Sequence, residues 1–510
     1  MEDKEKSDIS KNISLLMILT FLLKGIGFIN RMILAYKFGT TDGTDTFYVA
    51  SGFIDAVVAI ILESLSVGIV NIYVKNRGKK EKANSFIVGT ILIVEIVMIL
   101  LCLFTILCSK QIAMILAPGY EYELSIKLSK YLVLMSSAYL FYGIINVFCA
   151  MLQAEGKFVP VKLTGTVSSI SSILIVFFFA DTVGEMSMVI AFISAAIFNC
   201  VFIFGYVKAK LTFSLNIAEN VSEDINLLIK MSWPLMIGLA AHELNLIIDK
   251  SVATSLGSGC VSALAYCSVL FLLVENVMIN STITVLYPNI SALYARGEFK
   301  QIANEIKTTL CYLELLLIPI TSILFFQSER IIRVLYFHGG FSEESIVLTN
   351  LALKGYVLGL PFRALRDIIT RLFYAYGDTR LPMRVNMLSI TINILLDFIL
   401  SQYWGVFGIT FATTISLAFS GICLYICRKK YNTDIIFEKN KCRCMLFVTV
   451  YIVVELLLAY KINVNIDILS VVLFSILAFG LEICLLSIFL PDLSKKIIDN
   501  VCILVRRKIQ

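Results

Sequence analysis

The sequence predicts an all-α polytopic membrane protein of about fourteen transmembrane helices, arranged as two pseudo-symmetric six-helix lobes with two further C-terminal helices. Three observations predict it. Apolar stretches recur along the whole of the 510 residues, of which 58% are hydrophobic and 16% charged; soluble chains carry roughly a quarter charged residues. Cations concentrate in alternate loops. Short motifs of the first half return in the second at offsets of 218 and 221 residues.

A bilayer core is crossed by about 20 apolar residues in helical form. Measured with that ruler, spans centre near Phe28, Ile60, Val97, Tyr139, Ile170 and Ile193 in the first half. They continue near Leu239, Val274, Leu316, Leu360, Ile390 and Ile415, and end near Val450 and Leu481. Lys4, Lys6 and Lys11 precede the first span, and Lys75, Arg77, Lys79, Lys80 and Lys82 follow the second. Lys157 and Lys162 follow the fourth, Lys208 and Lys210 the sixth, Arg296 and Lys300 the eighth, Arg380 and Arg384 the tenth. Arg428, Lys429 and Lys430 follow the twelfth, and Arg506, Arg507 and Lys508 lie near the end. The other loops are poorer in cations, so these loops and both termini are expected in the cytoplasm, with an even span count.

The repeat pairs LAPGYEYELSIKL, from Leu116, with LYFHGGFSEESIVL, from Leu335; it also pairs LQAEGKFVPVK, from Leu152, with FYAYGDTRLPMR, from Phe373. Gly119 and Gly340 stand 221 apart (340 − 119), as do Gly156 and Gly377 (377 − 156). An offset of 218 aligns Gly39 with Gly257, Tyr48 with Tyr266 and Lys24 with His242. Spans one to six thus return as seven to twelve in the same orientation, a parallel repeat of the kind that builds two transporter lobes around a central site. The expected divisions are residues 1–215, 216–432 and 433–510, the last holding spans thirteen and fourteen and a cytoplasmic tail.

Several function classes are excluded. No phosphate-binding glycine loop, H-E-x-x-H or G-x-S-x-G elbow is present. With two histidines and 13 cysteines scattered mostly through apolar stretches, neither a catalytic metal nor a disulfide framework is expected. The net charge of +6 is dispersed over short loops, so no nucleic-acid partner is implied. No cofactor is expected. Any transport draws on a coupling cation (Na⁺ or H⁺), the membrane potential or the substrate's own gradient.

What remains is charge inside the spans, which is costly in lipid and usually faces a bundle interior or a water-filled cavity. Lys24 and Arg31 lie seven apart on the first span. The second carries Asp45 at its outer end, then Asp55 and Glu63, eight apart. The seventh carries His242, Glu243, Asp249 and Lys250, and the eighth Glu275. The tenth carries Lys354, Arg363, Arg366, Asp367 and Arg371; the eleventh carries Asn386, Asn393 and Asp397. Spans one and seven are repeat partners, as are two and eight, so a central polar chamber is expected. Its candidate substrate-binding residues are Lys24, Arg31, Asp45, Asp55, Glu63, His242, Asp249, Glu275 and Arg366. Asp249 and Asn393 are candidate cation ligands.

With these residues in hand, the chain resembles the lipid II flippase (MurJ/MviN) family of the multidrug/oligosaccharidyl-lipid/polysaccharide exporter superfamily. The resemblance runs through GFINRMILAYKFGTTDGTDTFYVA (27–50), ILAPGY (115–120), LQAEGKFVPVK (152–162), LYPNISALYARGEF (286–299), LYFHGGF (335–341) and YAYGDTRLPMRVNM (374–387). It implies a flippase of the bacterial cytoplasmic membrane. The substrate would be an undecaprenyl-pyrophosphate-linked peptidoglycan precursor, taken to the outer leaflet through a cationic cavity, its lipid tail in a groove of the last two helices. It implies membrane lipids and cell-wall synthesis proteins as neighbours. By position, Lys24 and Arg31 match the family's first-helix arginines, Asp45 the acid opening the second helix, and Glu63 an acid further along it. The family's second-helix arginine falls on Val58, and its charged eighth-helix cluster on Ser268, Val269 and Leu272.

Three other readings are weighed: a flippase for another polyprenyl-pyrophosphate polysaccharide unit, a cation-coupled drug exporter, and a non-transporting cell-wall scaffold. An exporter favours an acidic, aromatic cavity, and a scaffold tolerates loss of Lys24 or Arg31. The predicted orientation has a direct test. A fluorescent protein fused after Gln510 is expected to fluoresce, and alkaline phosphatase fused there to stay inactive; the reverse result overturns the topology.

Overall fold

The computed structural model describes residue 23, residues 25–207 and residues 221–431. Spans thirteen and fourteen, and Lys24, therefore lie outside the described residues. Every described regular element is helical. We number the spans α1 to α12: α1 (25–38), α2 (Asp42–Asn76), α3 (Glu81–Leu107), α4 (Tyr122–Ala154), α5 (Phe158–Val183) and α6 (Met186–Val207). The second series is α7 (Ser222–Thr254), α8 (Cys260–Ala295), α9 (Phe299–Phe326), α10 (Glu343–Ala375) and a 48-residue run, Arg380–Cys427. That run is two spans, α11 and α12, because Gly405 interrupts it at φ 56°, ψ −135°. Every expected centre from Phe28 to Ile415 falls inside one of these helices. The fold class is therefore the one expected, a polytopic helical membrane protein.

The described chain packs as two compact units. Unit 1 holds everything to Tyr266 together with His338–Ser345, and unit 2 holds Cys267–Phe337 and the chain from Ile346 on. This packing division differs from the sequence repeat because α7 packs on α2 and α3. In unit 2, Ile279, Ile283 and Ile290 of α8, Ile302, Leu310 and Leu317 of α9, and Ile368, Leu372 and Phe373 of α10 form one apolar core. The side chains recur every three or four residues, the spacing that gives each helix one inward stripe.

Repeat-related positions share backbone devices. Gly156 ends α4 at φ 77°, and Gly377 follows α10 at φ 74°. At each, the next residue's N–H bonds to a carbonyl five residues back: Lys157 to Leu152 at 2.8 Å and Asp378 to Phe373 at 2.9 Å. This is the left-handed helix cap that glycine makes without steric cost. Both α2 and α8 also contain a π turn, at Ala59–Glu63 and Glu275–Asn280. Their starts are 216 residues apart (275 − 59), close to the repeat offset. Such turns insert one extra residue and often sit at functional sites.

The caps yield a stability prediction. Gly156→Ala and Gly377→Ala should each cost about 1–2 kcal/mol, the penalty of a left-handed L-residue, and lower the thermal midpoint in detergent by similar amounts. Gly165→Ala, inside α5 with nothing near a new Cβ, should not lower it.

Candidate functional site

In unit 1 the charged residues of α1, α2 and α7 gather. The guanidinium carbon of Arg31 lies 5.0 Å from the centre of the Tyr48 ring. Lys250 Nζ donates to the Tyr48 carbonyl at 3.3 Å. Gly52, one helical turn beyond Tyr48, leaves the space that the Lys250 ammonium occupies; a Cβ there collides with it. Asp55 lies one turn further, where the charges of Lys250 and Arg31 both act on it. The charges of Glu63, Lys250 and Asp55 all act on Glu243.

Asp55 and Glu63 are exposed although they lie within a 35-residue membrane helix. Hydrocarbon does not tolerate a carboxylate, so this face is wet. The π turn explains how both acids share it. Eight residues of regular α-helix rotate the side chain by about 80° from its start. Absorbing one extra residue in the π turn brings the two to within about 20°.

Asp45 corrects an expectation. It is 1% exposed, and its carboxylate accepts the backbone N–H of Gly259 at 2.8 Å and of Ser262 at 2.7 Å. It thus caps α8 from the start of α2, and Tyr266 beside it donates to the Gly39 carbonyl at 3.0 Å. The acid is spent on orphan helix N–H groups and not offered to a chamber. His242 is exposed on α7. Asp249 is 4% exposed, and its charge acts on Lys250.

Unit 2 has its own ionic cluster. Arg363 donates to Glu275 at 2.7 Å and to Asp367 at 3.0 Å. Arg366 pairs with Asp367 at 2.6 Å. Glu275, expected on an open wall, is instead 5% exposed, since Arg363 holds it at the first residue of the α8 π turn. In α11, Asn393 donates to Asp397 at 3.3 Å, both buried. Asp249 belongs to unit 1 and Asn393 to unit 2. No group of three or more metal-ligating side chains occurs among the described residues.

Within unit 1 the structure thus groups Arg31, Asp55 and Glu63 of the expected residues with Tyr48 and Lys250, and within unit 2 it groups Glu275 and Arg366 with Arg363 and Asp367. The signal for Lys250 was its seven-residue spacing from Glu243; its partner across to α2 has no sequence signature. Unit 1 also holds an apolar cavity of about 200 Å³, lined by Ile61, Leu65, Val94, Val97, Leu228 and Met236 among others.

A multi-span helical protein with ionisable side chains on wet faces of its membrane helices has the architecture of a membrane transporter. The comparisons narrow the class. The family model for lipid II flippase MurJ matches residues 34–497, and the chain belongs to that family. It is 27% identical over 425 residues to a protein of Rickettsia prowazekii (strain Madrid E) described as a probable lipid II flippase MurJ, covering 81% of this chain and 82% of that one. A relative of the same description from Aquifex aeolicus (strain VF5) is 26% identical over 428 residues, covering 82% of each chain. Among solved structures, a lipid II flippase MurJ in an inward closed conformation superposes with a TM-score of 0.78 at 23% identity, covering 94% of this chain and 99% of that one. An inward-facing multidrug resistance transporter of the MATE family shares the fold at a TM-score of 0.71 and 12% identity, covering 80% of this chain and 94% of that one. The protein is a transporter and not an enzyme.

The Asp45 cap carries a prediction. Asp45→Ala leaves two buried N–H groups unsatisfied and should destabilise the protein by about 1–3 kcal/mol, read as a lower midpoint of thermal unfolding. Asp42→Ala, exposed on the preceding turn, should change it little.

Proposed function

We propose that this chain flips lipid II by alternating access, taking the undecaprenyl-pyrophosphate saccharide from the cytoplasmic to the outer leaflet of the bacterial cytoplasmic membrane. Flipping itself follows from membership of the lipid II flippase family over residues 34–497. The observation that supports a route through the protein is the wet face of unit 1, where Arg31 and Lys250 stand against Asp55, Glu63 and Glu243 inside membrane helices. Arginine and lysine donate charge-assisted hydrogen bonds to phosphate oxygens, and carboxylates accept the hydroxyls of a saccharide. In this reading Lys24 and Arg31 hold the pyrophosphate. Asp55, Glu63 and Glu243 contact sugar or exchange ion pairs as the route opens and closes, and His242 lies at its edge.

The drive is a coupling cation, sodium or proton, or the membrane potential. The candidate cation ligands are Asp249 and Asn393, a carboxylate and an amide oxygen of the hard type that sodium takes. Both termini lie in the cytoplasm, as the loop cations indicate.

The test depletes a bacterium's own lipid II flippase, expresses this chain, and measures lipid II on the outer leaflet. Rescue by the wild type is expected, with at least about tenfold loss in Arg31→Ala, the scale of one lost charge-assisted hydrogen bond. Rescue undiminished by Lys24→Ala and Arg31→Ala removes the pyrophosphate assignment. No rescue by a chain shown to be inserted and folded points to another lipid-linked glycan.

A further inference from the structure

Unit 2 sets three guanidinium groups along one face of α10 and provides two carboxylates to meet them. Arg363 takes Glu275 and shares Asp367 with Arg366. That uses both acids. Arg371 has no carboxylate within ion-pair distance among the described residues; its charge acts on Asp367, one turn back, whose oxygens are already taken by Arg363 and Arg366. Its guanidinium lies 5.9 Å from the ring centre of Tyr287 on α8 and 5.6 Å from that of Tyr374 on its own helix. Its Nε is buried and has no hydrogen-bond acceptor.

The residue is fixed on this side of α10. The opposite face, with Ile368, Ile369, Leu372 and Phe373, is fully buried in the apolar core. Arg371 also sits four residues before the helix ends at Ala375. It therefore stands near the loop that the charge pattern assigns to the cytoplasm. Aromatic rings stabilise a guanidinium through its faces and leave its edge N–H groups free. Those edges form the planar fork that grips phosphate through two parallel hydrogen bonds. A partly buried, unpaired cation is costly unless an anion completes it.

We propose that Arg371, framed by Tyr287 and Tyr374, is a phosphate-binding residue of unit 2 that receives the phosphorylated headgroup of the lipid substrate at the cytoplasmic end of α10. The Glu275–Arg363–Asp367–Arg366 network acts beside it as a positioning device: it engages the carboxylates, so that of the three guanidinium groups on this face of α10 Arg371 is the one with no carboxylate bonded to it among the described residues. This assignment rests on the flipping reading. The same oxyanion chemistry is offered by a bulk phospholipid headgroup, and the experiment separates the two sources.

Purified protein in nanodiscs is titrated with lipid II, with undecaprenyl pyrophosphate and with phosphatidylglycerol, and bound lipid is counted by native mass spectrometry. Arg371→Ala and Arg371→Lys should each weaken lipid II and undecaprenyl pyrophosphate binding about tenfold and leave phosphatidylglycerol unchanged. The lysine variant matters because it keeps the charge and loses the fork. Arg380→Ala, an exposed cation a few residues on, should bind like wild type. Thermal midpoints confirm that the variants fold; should Arg371→Ala fail to, the lysine variant and Tyr287→Ala, which removes one ring, carry the test. Unchanged pyrophosphate binding in folded Arg371 variants overturns the proposal. Loss confined to phosphatidylglycerol overturns the substrate assignment in favour of a headgroup anchor. A wild type that binds undecaprenyl pyrophosphate through Arg371 yet exposes no lipid II in cells sinks the flipping reading and leaves the phosphate site standing.

Discussion

Hydrocarbon cannot solvate an ionised side chain, and everything polar in these helices is arranged around that fact. Each charge must meet a counter-charge, a backbone dipole, an aromatic face or water. Asp45 is met by two backbone N–H groups at the start of α8. Arg31 and Arg371 lie against tyrosine rings. Arg363 and Arg366 are met by carboxylates. Asp55 and Glu63 stay exposed, so water is their partner. The two units therefore use the same rule to different ends. In unit 1 Asp55 and Glu63 stay open to water, whereas in unit 2 Glu275 and Asp367 close into ion pairs and Arg371 is left beside them.

The duplication explains why the scaffold is alike while the charges differ. Glycine caps and π turns answer local backbone demands: a chain reversal after a helix, or one extra residue in a turn. Those demands return wherever the topology returns, and Gly156 with Gly377 and the π turns of α2 and α8 meet them in the same way. Charge answers to what passes each face, so it is free to diverge. Glu95 and Glu314 show the middle case. They stand 219 residues apart (314 − 95) near the centres of α3 and α9, and no described cation pairs with either. Each half thus carries an acid at this position that is built into neither cluster.

Spans were legible because a stretch of about 20 apolar residues is a strong signal, and the 48-residue run was read as two spans, centred near Ile390 and Ile415, from its length. The repeat was legible because glycine in a left-handed cap has no good substitute, so Gly156 and Gly377 survive as markers. The site was legible only in part. Helical spacing puts residues on a face, which is how Arg31 and Asp55 became candidates. It does not say which helix that face meets, so the Lys250–Tyr48 contact and the Arg363–Glu275 pair were out of reach. Asp45 was misassigned for a similar reason: an acid opening a membrane helix reads as cavity wall until α8 is seen starting against it. The π turns were invisible, because no residue pattern announces them, and they decide whether Asp55 and Glu63 share a face.

The departures from the family pattern gain a physical sense from unit 2. Where the resemblance places charge on the eighth helix, this chain has Ser268, Val269 and Leu272. The neighbouring helix carries the cations instead, as Arg363, Arg366 and Arg371 on α10, and Glu275, less than a turn beyond Leu272, is the α8 residue that ties to them. Guanidinium groups packed within a membrane unit need counter-charges beside them, since a buried cation without a partner destabilises its unit. Asp367, on the same face of α10 and bonded to both Arg363 and Arg366, is that counter-charge. The cluster is thus self-consistent as it stands, with its acids used up locally and its remaining cation displaced toward the end of the helix, where a phosphorylated headgroup entering from the loop side meets it first.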